Sequence, residues 1–180
     1  MKTTNKGILI FLHIIAWIIF IGVSINAGAV IVSFVAGLVG GMEAAKRMYL
    51  QLDFSSLYYF SKSHYISLMS VMVIVTILKA TIFYLVIRIF MKINLVQPFS
   101  IEVSKLISGI AWLALGTGLF TVCGNHFCDW LQGAQGVSLP DLREFLGGGE
   151  EFLLLGGAIF MIAQVFKRGI EIQSENELTV

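Results

Sequence analysis

ILIFLHIIAWIIFIGVSINAGAVIVSFVAGLV, running from Ile8 to Val39, carries no Asp, Glu, Lys or Arg along its whole length. A helix needs about 20 apolar residues to cross the hydrocarbon core of a bilayer, so this stretch is longer than one span requires. It is also far longer than the roughly 7–15 residue apolar region of a secretory signal, although Lys2 and Lys6 precede it as they would in one. We therefore read it as a retained first span over about 8–34, with Gly37, Gly40 and Gly41 emerging on the far side or accommodated by tilt.

Three more apolar stretches follow, at about 65–91, 103–123 and 151–167. The composition agrees with them: 57% of residues are hydrophobic, 13% are charged, and the mean hydropathy is +0.88. A soluble core of 180 residues has no use for that excess, which must face lipid. Only two prolines occur, and no series of alternating ten-residue strands is present, so helices rather than a β-barrel are expected. The expected fold is all-α, an integral membrane four-helix bundle forming a single domain over 1–180, with 168–180 as a tail.

Orientation follows from the basic residues. With the amino terminus inside, the inner side receives Lys2, Lys6, Arg88, Lys92, Lys105, Lys167 and Arg168, and the outer side receives Lys46, Arg47, Lys62 and Arg143. Seven against four in short loops places both termini in the cytoplasm by the positive-inside rule. The segment between Met42 and His64, with Tyr49, Phe54, Tyr58, Tyr59 and Phe60, has the make-up of an aromatic strip at the membrane interface. Ser100 is suited to N-cap the third helix, with Glu102 in its first turn. Gly124 to Glu150, broken by glycines and Pro140, reads as a polar outer loop. A net charge of +1 with dispersed basic residues argues against direct binding of nucleic acid.

Few residues carry chemistry. Lys79 lies within the second span, where an ammonium costs on the order of 3 kcal/mol unless it finds water or a partner. It either snorkels, pairs with a carbonyl or carboxylate, or marks a polar path for transport. Glu150 and Glu151 could reach it only from the outer start of the fourth span. Cys123, His126 and Cys128 form a C-x-x-H-x-C cluster that His64 could complete. Three ligands make a weak zinc signal, a disulfide between Cys123 and Cys128 suits an oxidising outer face, and of the histidines only His64 and His126 could share a haem. No nucleotide-binding, metalloprotease or serine-hydrolase motif occurs, so neither catalysis nor a cofactor is expected. Small residues at Ala114, Gly118, Gly156, Gly157 and Ala158 permit close helix approach, within one chain or between copies in a homo-oligomer.

Two passages carry a family resemblance: Asn94-Leu95-Val96-Gln97-Pro98-Phe99-Ser100 leading to Lys105, and Ile162 to Ile172 followed by Ser174-Glu175-Asn176-Glu177-Leu178-Thr179-Val180. Together they resemble the bacterial membrane family DUF2975. The resemblance implies four spans in a bacterial cytoplasmic (inner) membrane. Because members are often encoded beside a small helix-turn-helix regulator, it also implies a soluble DNA-binding partner. It implies no catalytic residues, and neither the long first span nor the Cys123, His126, Cys128 cluster belongs to it.

The function expected is a membrane-embedded sensory or regulatory protein that binds a soluble cytoplasmic partner. The alternatives are a small transporter using Lys79 and an outer-face redox, metal or haem protein. The candidate partner-binding residues are Phe99, Ile170, Glu171, Ile172, Glu175, Glu177, Leu178 and Val180. Ile170 and Ile172 alternate with Glu171 and Gln173, a pattern that can add as a strand to a partner's sheet or pack on the turn at Pro98-Phe99. Cysteines introduced singly at 42–63 or 125–149 should react with an impermeant thiol reagent on intact cells, and those at 93–99 or 170–180 should not. Labelling of the tail from outside would reverse the orientation.

Overall fold

The computed structural model describes residues 2–93 and 99–177, with side chains for 7–93 and 99–175. Its elements are helix α1 (Lys2–Ala45), a 3-10 turn (Tyr49–Gln51), and helices α2 (Ser55–Phe60), α3 (Lys62–Lys92), α4 (Ile101–Gly133), α5 (Arg143–Leu146) and α6 (Gly149–Glu177). Among the described residues there is no strand, and α1, α3, α4 and α6 are each long and apolar enough to cross a membrane. Each exceeds the approximately 20 residues that a bilayer core demands, so all four project beyond it.

The long helices pack in chain order, α1 on α3, α3 on α4 and α4 on α6. Neighbours run antiparallel. His13 stacks on Phe90 at 5.7 Å and Phe34 meets Tyr65 at 6.4 Å, joining opposite ends of α1 and α3. One end of the molecule therefore holds the connections after α1 and after α4 (the capped end). The other holds the start of α1, the turn after α3 and the end of α6 (the turn end). α1 joins through one flank only, since 6% of its most apolar window is buried.

The α4–α6 seam depends on missing side chains. A Cβ on Gly118 would stand 2.7 Å from Leu153 Cγ and 2.8 Å from the Gly149 carbonyl oxygen, and one on Gly156 would stand 2.8 Å from the Leu115 backbone nitrogen. Lipid tails are as apolar as leucine, so helices associate in a bilayer largely by such backbone-level packing. Three hydroxyls inside the spans are satisfied locally, Thr76, Thr81 and Thr117 each donating to the carbonyl four residues earlier at 3.0, 2.8 and 2.8 Å, whereas the buried Thr121 hydroxyl has no partner among the described residues.

Three expectations are corrected at the connections. The aromatic segment after α1 is only partly an interfacial strip, because Phe54 and Leu57 are fully buried and pack with Tyr65, Phe145 and Leu146 in one core at the capped end. Tyr59, 86% exposed, and Phe60 keep the interfacial character. α4 does not stop at Cys123. It runs through Gly124, which serves as a packing site where a Cβ would lie 3.1 Å from Val71 and 3.2 Å from Leu146, and ends at Gly133. α6 continues past Phe166 to Glu177 where a solvated or strand-like tail was expected, since adding residues to an existing helix carries no nucleation cost and no proline intervenes. α1 does break where its glycines cluster, at Gly41 with φ +67°, a conformation other residues resist.

Ser100 caps α4, its hydroxyl accepting from the Val103 backbone N–H at 3.2 Å, and Lys92 pairs with Glu102 at 3.1 Å across the turn. The seam makes a paired comparison available. Gly156→Val should destabilise the protein by roughly 1–3 kcal/mol, the usual cost of overpacking. Gly157→Val, where nothing lies within 4 Å, should change little. Thermal unfolding in detergent reads both, and equal effects would remove the seam's role.

Candidate functional site

The capped end is organised around Lys79 and Asn125. α5 is a single turn whose Phe145 and Leu146 are buried, and the chain then passes Gly147 and Gly148 to enter α6. Its closing carbonyls have no helical partner of their own. Lys79 Nζ donates to the Phe145 carbonyl at 2.9 Å and to that of Gly147 at 3.5 Å, and it lies 5.5 Å from the centre of the Phe152 ring. Asn125 Nδ2 donates to the Leu146 carbonyl at 2.8 Å. Three successive carbonyls of the strap between α4 and α6 are thus held by one side chain on α3 and one on α4. Glu150 and Glu151 open α6 and form no ion pair with Lys79. The ammonium sits at the C-terminal end of a helical turn, where carbonyl dipoles favour a cation.

Asn125 escaped sequence reading because it lay in a segment taken for loop. Once α4 is extended, its helical spacing from Gly118 and Thr121 puts its amide within reach of the strap while the residue itself stays exposed. Elsewhere on the strap, Asp141 pairs with Arg143 at 2.7 Å, and the guanidinium holds the exposed Asp141 carboxyl down at about 2, so it stays ionised through the physiological range.

The four cysteine and histidine candidates do not form one centre. Five positions apart on a helix, Cys123 and Cys128 point about 140° away from each other, and both are free thiols rather than a disulfide. His126 is exposed. Among the described residues no group of three His, Cys, Asp or Glu side chains is placed to hold a metal ion. The structure does bring His64 and Cys123 together, on a cleft of about 320 Å³ between α3 and α4 that is also lined by Ser63, Ser67, Val71, Gly124 and Phe127. The His64 ring lies 5.9 Å from that of Phe127 and 5.6 Å from that of Trp130, nearly parallel to both. Its Nδ1 is buried without a hydrogen-bond partner. Ser63, Ser67, Phe127 and Trp130 went unnoticed in the sequence because helical spacing alone does not mark them.

At the turn end Phe99 lies flat on α6. A Cβ on Gly169 would be 2.7 Å from the Phe99 ring, which also meets the Phe166 ring edge-to-face at 5.3 Å. Beyond this contact Ile170 is half-buried, Ile172 is 46% exposed, and Glu171 pairs with Arg168 at 2.8 Å. Glu175 lies on the same exposed helical extension. Glu177 ends α6, whereas Leu178, Val180 and Pro98 lie outside the described residues.

The fold defines a multi-helical protein of the multi-pass membrane class, with four helices long and apolar enough to cross a bilayer. The family model described as "Protein of unknown function (DUF2975)" matches residues 43–180, and the chain belongs to that family. No curated protein and no solved structure matches the chain. The matched region begins just after the break at Gly41, so almost all of α1 lies outside it.

Lys79→Met should lower stability by about 2–3 kcal/mol, since two carbonyls lose a charged donor in an apolar setting. Combined with Asn125→Ala, the loss should fall short of the sum of the single losses, because once one tie is gone the strap has less left to lose. Strict additivity in detergent unfolding would mean that the two side chains hold the strap independently.

Proposed function

We propose that this protein is a membrane-embedded regulator in the bacterial cytoplasmic membrane, with both termini in the cytoplasm and the capped end outside, that binds a soluble partner through its turn end. The observation that carries the reading is α6 itself. It is one helix from Gly149, two residues after the carbonyl tied to Lys79, to Glu177, well past the last apolar turn. At about 1.5 Å per residue it joins the strap to a solvated helical extension with no break for motion to dissipate in.

The extension offers Ile172 as an exposed apolar residue beside Glu171 and Glu175, next to the Phe99 contact. An acidic amphipathic helical end suits a basic, groove-bearing partner, and attraction between the two would speed encounter. A helix-turn-helix regulator, the partner class implied by the family resemblance, has that character. Recognition would therefore be helix-in-groove rather than strand addition. Lys79 is accounted for without a permeation path, being half-buried and hydrogen-bonded to carbonyls.

Deletion of 170–180 should leave insertion and thermal stability unchanged while abolishing recovery of the soluble partner in mild-detergent pull-down from native membranes. Undiminished recovery would refute the tail's role and leave the turn around Phe99 as the site.

A further inference from the structure

The cleft between α3 and α4 at the capped end is assigned to nothing above. It is polar at its shallow end, where Ser63 and His64 stand in the first turn of α3, and apolar about two turns deeper at Val71. Ser63, Ser67 and Cys123 are exposed and offer hydroxyl and thiol donors. His64 and Phe127 line it with rings only 13° from parallel, and Trp130 stands 6.0 Å from Phe127 and 14° from parallel with it. Gly124, buried between Val71 and Leu146, keeps the floor free of a side chain and puts the cleft in contact with the strap. A gradient from polar to apolar along a spanning helix fits an amphiphile aligned with lipid. Flat aromatic walls fit a planar ring, and donors without a facing carboxylate fit a ring that presents acceptors.

We propose that this cleft binds the planar, acceptor-bearing ring of a small amphiphile, a substituted quinone, with its apolar chain directed along α3 and α4 into the bilayer. The ring carbonyls accept from Ser63 and Ser67, and the ring face lies against Phe127 and His64. Occupancy bears on Gly124 and, through Leu146, on the strap held by Lys79 and Asn125. This names a signal for the regulator proposed above and rests on that reading only for its consequence, because binding and partner recovery are measured separately.

The test uses the full chain in nanodiscs with Trp17 and Trp112, both exposed, replaced by phenylalanine so that Trp130 reports alone. Decylubiquinone, whose ring has no open position for thiol addition, should quench Trp130 saturably. Ser67→Leu, an exposed position where bulk is tolerated, should abolish saturation at unchanged melting temperature. Ser67→Ala should weaken binding by about fivefold, the effect of one hydrogen bond. Duroquinone, a ring without a chain, distinguishes the source. Equal saturation by it would uphold the ring site but overturn the role of the chain, and saturation by decylubiquinone alone supports the membrane-borne amphiphile. Linear quenching by both, an identical curve in Ser67→Leu, or displacement by decanol as effective as by the quinone would overturn the proposal. Saturable binding with unaltered partner recovery would uphold the site and overturn its regulatory consequence.

Discussion

Buried backbone polar groups need partners, and the strap before α6 is where this chain meets that constraint in an unusual way. The strap is not regular enough to satisfy itself. Its three carbonyls at 145–147 are taken up by Lys79 and Asn125, side chains that would each be costly in an apolar helix if they stood alone. Two liabilities, an ammonium on an apolar helix and an irregular backbone, thereby cancel. Phe145 and Leu146 are carried into the core on the same turn, against Tyr65, Leu68 and Met72. The capped end thus behaves like the interior of a small soluble protein placed on top of a helical bundle.

From that end α6 departs as a lever with two fulcra. Gly118 and Gly156 set its separation from α4 within the span, and Gly169 under Phe99 sets its exit at the turn end. All three contacts rely on absent side chains, so the helix position is defined by backbone geometry more than by adaptable packing. A small displacement of the strap has few ways to be absorbed before it reaches the extension beyond Lys167. Tight interfaces convert small shifts into discrete ones for this reason.

α1 stands apart from this machinery. It touches mainly α3, exposes most of its apolar surface, and almost all of it precedes the family-matched region. Its junction with the rest is nevertheless specific. Ser33 Oγ accepts from the Tyr49 backbone N–H at 3.1 Å, and Ala45 and Met48 lie in the capped core. The helix is anchored at its end and loose along its length.

Composition and the charge-free stretches by themselves determined that the chain is helical, membrane-spanning and crossed by four apolar segments, because a bilayer admits few backbone solutions and hydropathy reports on them directly. Ser100 as a cap and Lys79 as an anomaly were equally legible, each depending on local chemistry alone. The ends of the helices were not. Gly124, at the start of what read as a loop, and Gly169, at the start of what read as a tail, prove to be contact points inside helices, since a glycine there is explained only by what approaches it. The cysteine and histidine cluster illustrates the reverse error: residues close in sequence diverge around a helix, and the two that line one cleft, His64 and Cys123, are 59 positions apart. Which carbonyls would receive Lys79, and that Asn125 would share the task, depended on a strap folding back between two helices, a long-range arrangement that no spacing along the chain encodes.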